Sequence, residues 1–123
     1  MADYVYLNVN PDQLTVSDCV TRAITLTTGL PYSKVRKMLF HTAKLLGCEK
    51  LCVMCYKFLI EDVLKCRRVN CDGMYPNNFA ELHRDGTYLL RMNGHINCCI
   101  DGKIYDIFDS RYYDFLTDAW RVD

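Results

Sequence analysis

GTYLLRMNGHINCCIDGKIYDIFDS, residues 86–110, is the stretch that decides the fold. Asp85-Gly86 marks a turn, and Thr87–Met92 and Gly94–Ile100 follow as two runs of strand length. Asp101-Gly102 is a two-residue hairpin signal, because both central residues of a type I′ turn need positive φ. Lys103–Phe108 then returns as a third strand. With this loop, Ile100 faces Lys103, Asn97 faces Asp106 and His95 faces Phe108. Strand alternation therefore puts His95, Asn97, Asp106 and Phe108 on one face.

Upstream the apolar spacing turns helical. A first helix is expected from about Asp18, whose side chain can cap free backbone N–H groups. Val20, Ala23, Ile24 and Thr27 follow at helical spacing, and Gly29 and Pro31 stop it. A second helix starts after Ser33 and carries Val35, Met38, Leu39, Thr42, Leu45 and Leu46 in one stripe up to Gly47. A third covers about Lys50–Leu64, with Leu51, Met54, Cys55, Phe58 and Leu59 inward. Residues 66–76 read as irregular, and Asn78–His83 as a short helix. Residues 4–9 read as a short strand or extended arm, and the aromatic tail (Tyr112, Tyr113, Phe115, Trp120) as a packing element. Helices first and strands later make an α+β domain, with N-terminal helices on a C-terminal antiparallel sheet, over residues 1–123 as a single domain.

Composition narrows the function classes. Fifteen basic and fifteen acidic residues cancel, so there is no electrostatic case for nucleic acid. The start MADYVYLNVN lacks a basic region followed by an apolar run, and no stretch approaches about 18 uninterrupted apolar residues. No export signal, no membrane and a cytoplasmic location are the expectations. The eight cysteines then read as reduced thiols, mostly small core residues.

One of them is placed for chemistry. Cys19 lies in the first turn of the first helix, where the helix dipole and free N–H groups favour a thiolate. His95 opens a strand, and His is the usual base for a cysteine nucleophile. Asp106 lies diagonally from His95, within reach of an orienting hydrogen bond. Asp109 falls on the other face and is kept in reserve should a bulge shift the register. The backbone N–H of Cys19 and the side-chain amide of Gln13, six residues upstream, are the candidate oxyanion donors.

The order Gln13, Cys19, His95, Asp106 resembles the papain-like cysteine peptidase superfamily. The closer likeness is to small papain-like proteins of phages and bacteria, carried by DCVTRAITLTTGLPY (residues 18–32) and by residues 86–110. The resemblance implies a papain-like domain and a thiol-dependent peptidase, isopeptidase or amidase with no cofactor. Cys19 is then the nucleophile, His95 the base, Asp106 the group that orients it and Gln13 the oxyanion donor. The partner is a protein or peptide substrate, including a host protein in host cytoplasm if the chain is phage-encoded. The alternative is a catalytically inactive papain-like protein that binds and modulates a host protein. Asp18, one residue from the nucleophile, departs from the pattern, since a carboxylate there raises the thiol pKa unless it turns away to cap the helix.

A metal site competes for the cysteine-rich middle. Cys48, Cys52, Cys55, Cys66 and Cys71 crowd one segment, with His41 a helix away, and four such groups can form a tetrahedral zinc site. They lack the paired spacing and knuckle glycines of zinc ribbons, so core packing is the preferred reading and no metal is assigned.

Overall fold

The computed structural model describes residues 1–15 and 17–123. It is an α+β domain with four helices and one six-stranded mixed sheet. The expected hairpin is present: β4 (His95–Ile100) and β5 (Lys103–Asp106) pair Ile100 with Lys103, Cys99 with Ile104 and Cys98 with Tyr105. Asp101 and Gly102 between them both have positive φ, 50° and 78°, as a type I′ turn requires. On the other side of β4, β3 (Thr87–Met92) pairs antiparallel along its whole length.

Three expectations about the sheet need correction. The N-terminal arm is β1 (Asp3–Tyr6), and it pairs parallel to β5, so the sheet is mixed rather than antiparallel. The region read as irregular contains β2 (Arg67–Arg68), and the tail read as packing contains β6 (Leu116–Val122). The strand order is β1-β5-β4-β3-β6-β2, so the tail is an interior strand. The physical reason is Asp118. It is buried in the middle of β6 among Lys57, Arg68 and Arg91, which breaks the apolar alternation that announces a strand.

The helices begin and end where backbone chemistry allows. α1 (Cys19–Thr28) stops at Gly29, whose left-handed backbone (φ 74°) returns its N–H to the Thr25 carbonyl, a conformation that costs glycine little. α2 (Tyr32–Leu46) starts from Pro31 rather than Ser33, which lies inside its first turn. α3 (Val53–Phe58) continues as one π-helical stretch, Leu59–Val63. Leu51 lies before its start and Met54 on its outer side, both exposed, and Cys55, Tyr56, Leu59 and Ile60 are the buried set. α4 (Pro76–Leu82) opens with proline, and the Tyr75 N–H donates to Asn78 Oδ1 at 3.0 Å.

The sheet is covered on both faces. α1, α2 and α3 bring Val20, Ile24, Val35, Leu39, Leu59 and Ile60 onto Leu89, Ile96 and Trp120. On the opposite face Phe79 and Ala80 of α4 pack with Tyr88, Leu90, Met92, Ile104 and Ala119. β3 thus buries side chains on both faces, which explains its near-continuous apolar run. Each fully buried Leu or Ile contributes roughly 1.5–3 kcal/mol. Trp120 locks the tail in place, its indole N–H donating to Glu61 at 2.8 Å. No helix among the described residues is long and apolar enough to cross a membrane.

Candidate active site

α1 packs on β4, and this packing sets Cys19, the first residue of the helix, against His95, the first residue of the strand. His95 Nε2 lies 2.6 Å from Asp106 Oδ2, with the two side chains 8% and 2% exposed. An ionised carboxylate only accepts, so Nε2 carries the hydrogen, and Nδ1 is the nitrogen left for the thiol. Burial works against the imidazolium. The hydrogen bond and charge of Asp106 and the contact with Cys19 outweigh it and raise the His95 pKa to about 9.

Asp106 is itself held from several sides. Ser110 Oγ donates to Oδ2 at 2.5 Å, and the Ile107 N–H donates to Oδ1 at 2.8 Å. Asn97 Nδ2 donates to Ser110 Oγ at 2.8 Å. The Arg22 guanidinium approaches Oδ1 at 4.0 Å. β1 fixes the backbone here, because the Leu7 N–H donates to the Asp106 carbonyl at 3.0 Å. The result is a chain of groups, Asn97 to Ser110 to Asp106 to the His95 side chain, ending at the thiol of the partly buried Cys19.

Asp18 occupies the N-cap position of α1 without capping it. Its carboxylate is bound instead by the Arg22 guanidinium, by the Tyr32 hydroxyl at 2.6 Å and by Asn10 Nδ2 at 3.0 Å. This corrects the expected side-chain cap. The same geometry neutralises the charge beside Cys19, and Asp18 makes no side-chain cap to the first-turn N–H groups. Burial lowers the Arg22 pKa, and Asp106 acts in the opposite direction.

Gln13 departs from its expected role. Its residue adopts φ 56°, and its amide nitrogen donates to the carbonyls of Asn8 (2.9 Å) and Asn10 (3.0 Å). Both hydrogens are engaged in closing the loop, so the amide is not an available oxyanion donor here. Asp109, the reserve carboxylate, is exposed and tied to Arg111 at 2.7 Å and 2.8 Å, away from the imidazole.

The cysteine-rich segment does not act as one unit. All eight thiols are free. Cys48, Cys52 and Cys55 belong with the core under α1–α3, as does Cys66, whereas Cys71 belongs with the core on the α4 face. Among the described residues no three His, Cys, Asp or Glu side chains are gathered as a metal ion requires. His41 is exposed on α2.

Arg22 and Ser110 are the site residues that sequence reasoning missed. Arg22 carried a signal, since a position three residues after Cys19 shares its helix face. Ser110 carried none, because its place depends on the turn after β5. Exposed rings surround the imidazole, with Phe108 and Tyr113 centroids 4.9 Å and 5.3 Å from that of His95. The hollow lined by Cys19, Leu7, Arg22 and Asp106 holds about 10 Å³, room for about one water. No protein-family model, no curated protein and no solved structure matches the chain.

Proposed function

We propose that the protein is a thiol hydrolase of papain-like type that cleaves an amide or isopeptide bond. One observation carries this reading: the His95 ring stands between the Cys19 thiol and the Asp106 carboxylate, bonded to the latter at 2.6 Å. Supporting it are the order of the parts in the chain and the position of Cys19 at the start of α1.

In this mechanism His95 Nδ1 takes the Cys19 proton, and the thiolate attacks the carbonyl carbon. The negative charge passes to the carbonyl oxygen, next to the Cys19 backbone N–H at the start of α1. The imidazolium returns its proton to the leaving amine, and a thioester remains. Water, deprotonated by His95, then hydrolyses the thioester and restores the thiol. Asp106 holds the ring in the required tautomer throughout, and Ser110 and Asn97 hold Asp106. A His95 pKa near 9 suits the step in which the ring takes the thiol proton and holds it as the partner of the thiolate.

A peptidyl vinyl sulfone tests the proposal, since it needs both a thiolate and a surface that positions peptide. Mass spectrometry should find one adduct, on Cys19, that is lost in His95→Ala. No adduct, or adducts spread over the other thiols, would favour the non-catalytic binder, the reading to which the very small hollow at Cys19 is better suited.

A further inference from the structure

A far roomier concavity than the hollow at Cys19 lies elsewhere. It is a groove of about 660 Å³ between the loop that precedes α1 and the outer side of α2, within the range of natural ligand sites. Asp18 and Thr21 reach its wall, but Cys19 does not. It therefore runs along the far flank of the first turn of α1.

Its floor is apolar. Leu14, Phe40 and Leu51 line it and are exposed, Phe40 at 63%, and Leu39 closes it from beneath. Its rim is basic, with Arg36 and Lys37 on α2 and Lys50 beyond it. Among the described residues none of these three cations is in an ion pair. Of the two carboxylates at the groove, Asp18 is already bound by Arg22, Tyr32 and Asn10. Among the described lining residues that leaves Asp12 to offset the rim. A chain with no net charge thus concentrates uncompensated positive charge around one apolar trough.

We infer that this groove is a docking site for an acidic peptide segment that places an apolar side chain between flanking carboxylates. The apolar side chain would cover Leu14, Phe40 and Leu51, and the carboxylates would meet Arg36, Lys37 and Lys50. Nucleic acid fits less well. A single strand needs stacked rings along a charged track, whereas the exposed rings among the lining residues are Phe40 and His41, sequence neighbours on α2 and not a row across the floor. The inference does not depend on hydrolysis, because the groove does not include the thiol.

The test uses the full chain carrying Cys19→Ser, so that binding is read without turnover. The probe is a fluorescein-labelled peptide with a Glu-Glu-Phe-Leu-Glu core. Fluorescence anisotropy should give saturable binding that weakens with added salt. A peptide with Lys in place of each Glu should bind at least about tenfold more weakly. Lys37→Glu combined with Lys50→Glu should cost roughly tenfold, and Phe40→Ser a similar factor. Lys103→Glu, on β5 away from the groove, should change nothing. The inference is overturned if the acidic peptide does not bind, if Lys103→Glu weakens it as much as the groove variants do, or if an oligo-dT strand binds more tightly than the peptide.

Discussion

Asp106 at the end of β5 and Asp118 in β6 are buried to the same degree, 6% and 5% exposed, yet their surroundings give them different work. Asp118 is ringed by permanent cations. Arg91 lies at 2.8 Å, Lys57 at 3.7 Å, and Arg68 also contacts it. Burial raises its pKa, but the hydrogen bond from Arg91 and the three positive charges prevail and lower it. It staples β6, β3, β2 and α3 together. Asp106 has Arg22 only at 4.0 Å, and its close partners are a hydroxyl, a backbone N–H and one titratable ring. A carboxylate saturated by guanidinium and ammonium groups fixes structure. A carboxylate facing an imidazole that itself faces a thiol can govern a proton.

This contrast breaks if the two sites respond alike to substitution. The largest separation is expected at the thiol. Cys19→Ser should lower any hydrolytic rate by about 10⁴-fold or more and leave the urea midpoint nearly unchanged. Next, Asp118→Ala should destabilise the fold by about 3 kcal/mol, read from urea unfolding, while Cys19 in the folded variant keeps its reactivity. If Asp118→Ala silenced the thiol without destabilising the fold, the division between the two aspartates would be wrong.

The two sites should also act at opposite ends of the pH scale. The folded pKa of His95, about 9, exceeds its unfolded value near 6.5. The native state then binds more protons in this window. Its contribution is complete below about pH 6.5 and lost as pH rises toward 9, with a fall of about 3 kcal/mol. Asp106→Asn should flatten that slope. Asp118, with its lowered pKa, contributes above the ordinary aspartate range and loses its contribution as pH falls through the lowered value. Urea titrations at several pH values check both directions. The smallest effect is expected from Ser110→Ala, which removes the hydrogen bond to Asp106 and the acceptor of Asn97 and should cost about 2 kcal/mol. As a positioning residue it should also move the alkaline limb of the pH–rate profile, a change that simple destabilisation would not produce.

Much of this comparison was legible in the chain. The hairpin could be read because a two-residue loop with positive φ leaves one register, and that register sets Asp106 beside His95. The end of α1 could be read from Gly29. The rest depends on contacts far apart in sequence. β1 pairs parallel to β5 across about a hundred residues, and nothing local in YVYLNV announces it. β6 was hidden because Asp118 is buried by partners on three other elements. Asp18 looked like a cap because its position is one, but Arg22 and Tyr32 compete successfully for the carboxylate. Gln13 matched an expected spacing, but the turn around it engages its amide locally.

The most direct test of the central claim is the rate at which iodoacetamide alkylates each thiol at pH 6, resolved by peptide mass spectrometry. Cys52 is the demanding internal control. Like Cys19 it is half-exposed, and backbone N–H donors at the start of α3, Cys55 first among them, lower its pKa. Cys19 is expected to react about 100-fold faster than Cys52, and His95→Ala should remove that advantage. Equal rates for Cys19 and Cys52 in the unaltered protein, or a Cys19 rate indifferent to His95→Ala, would contradict the account.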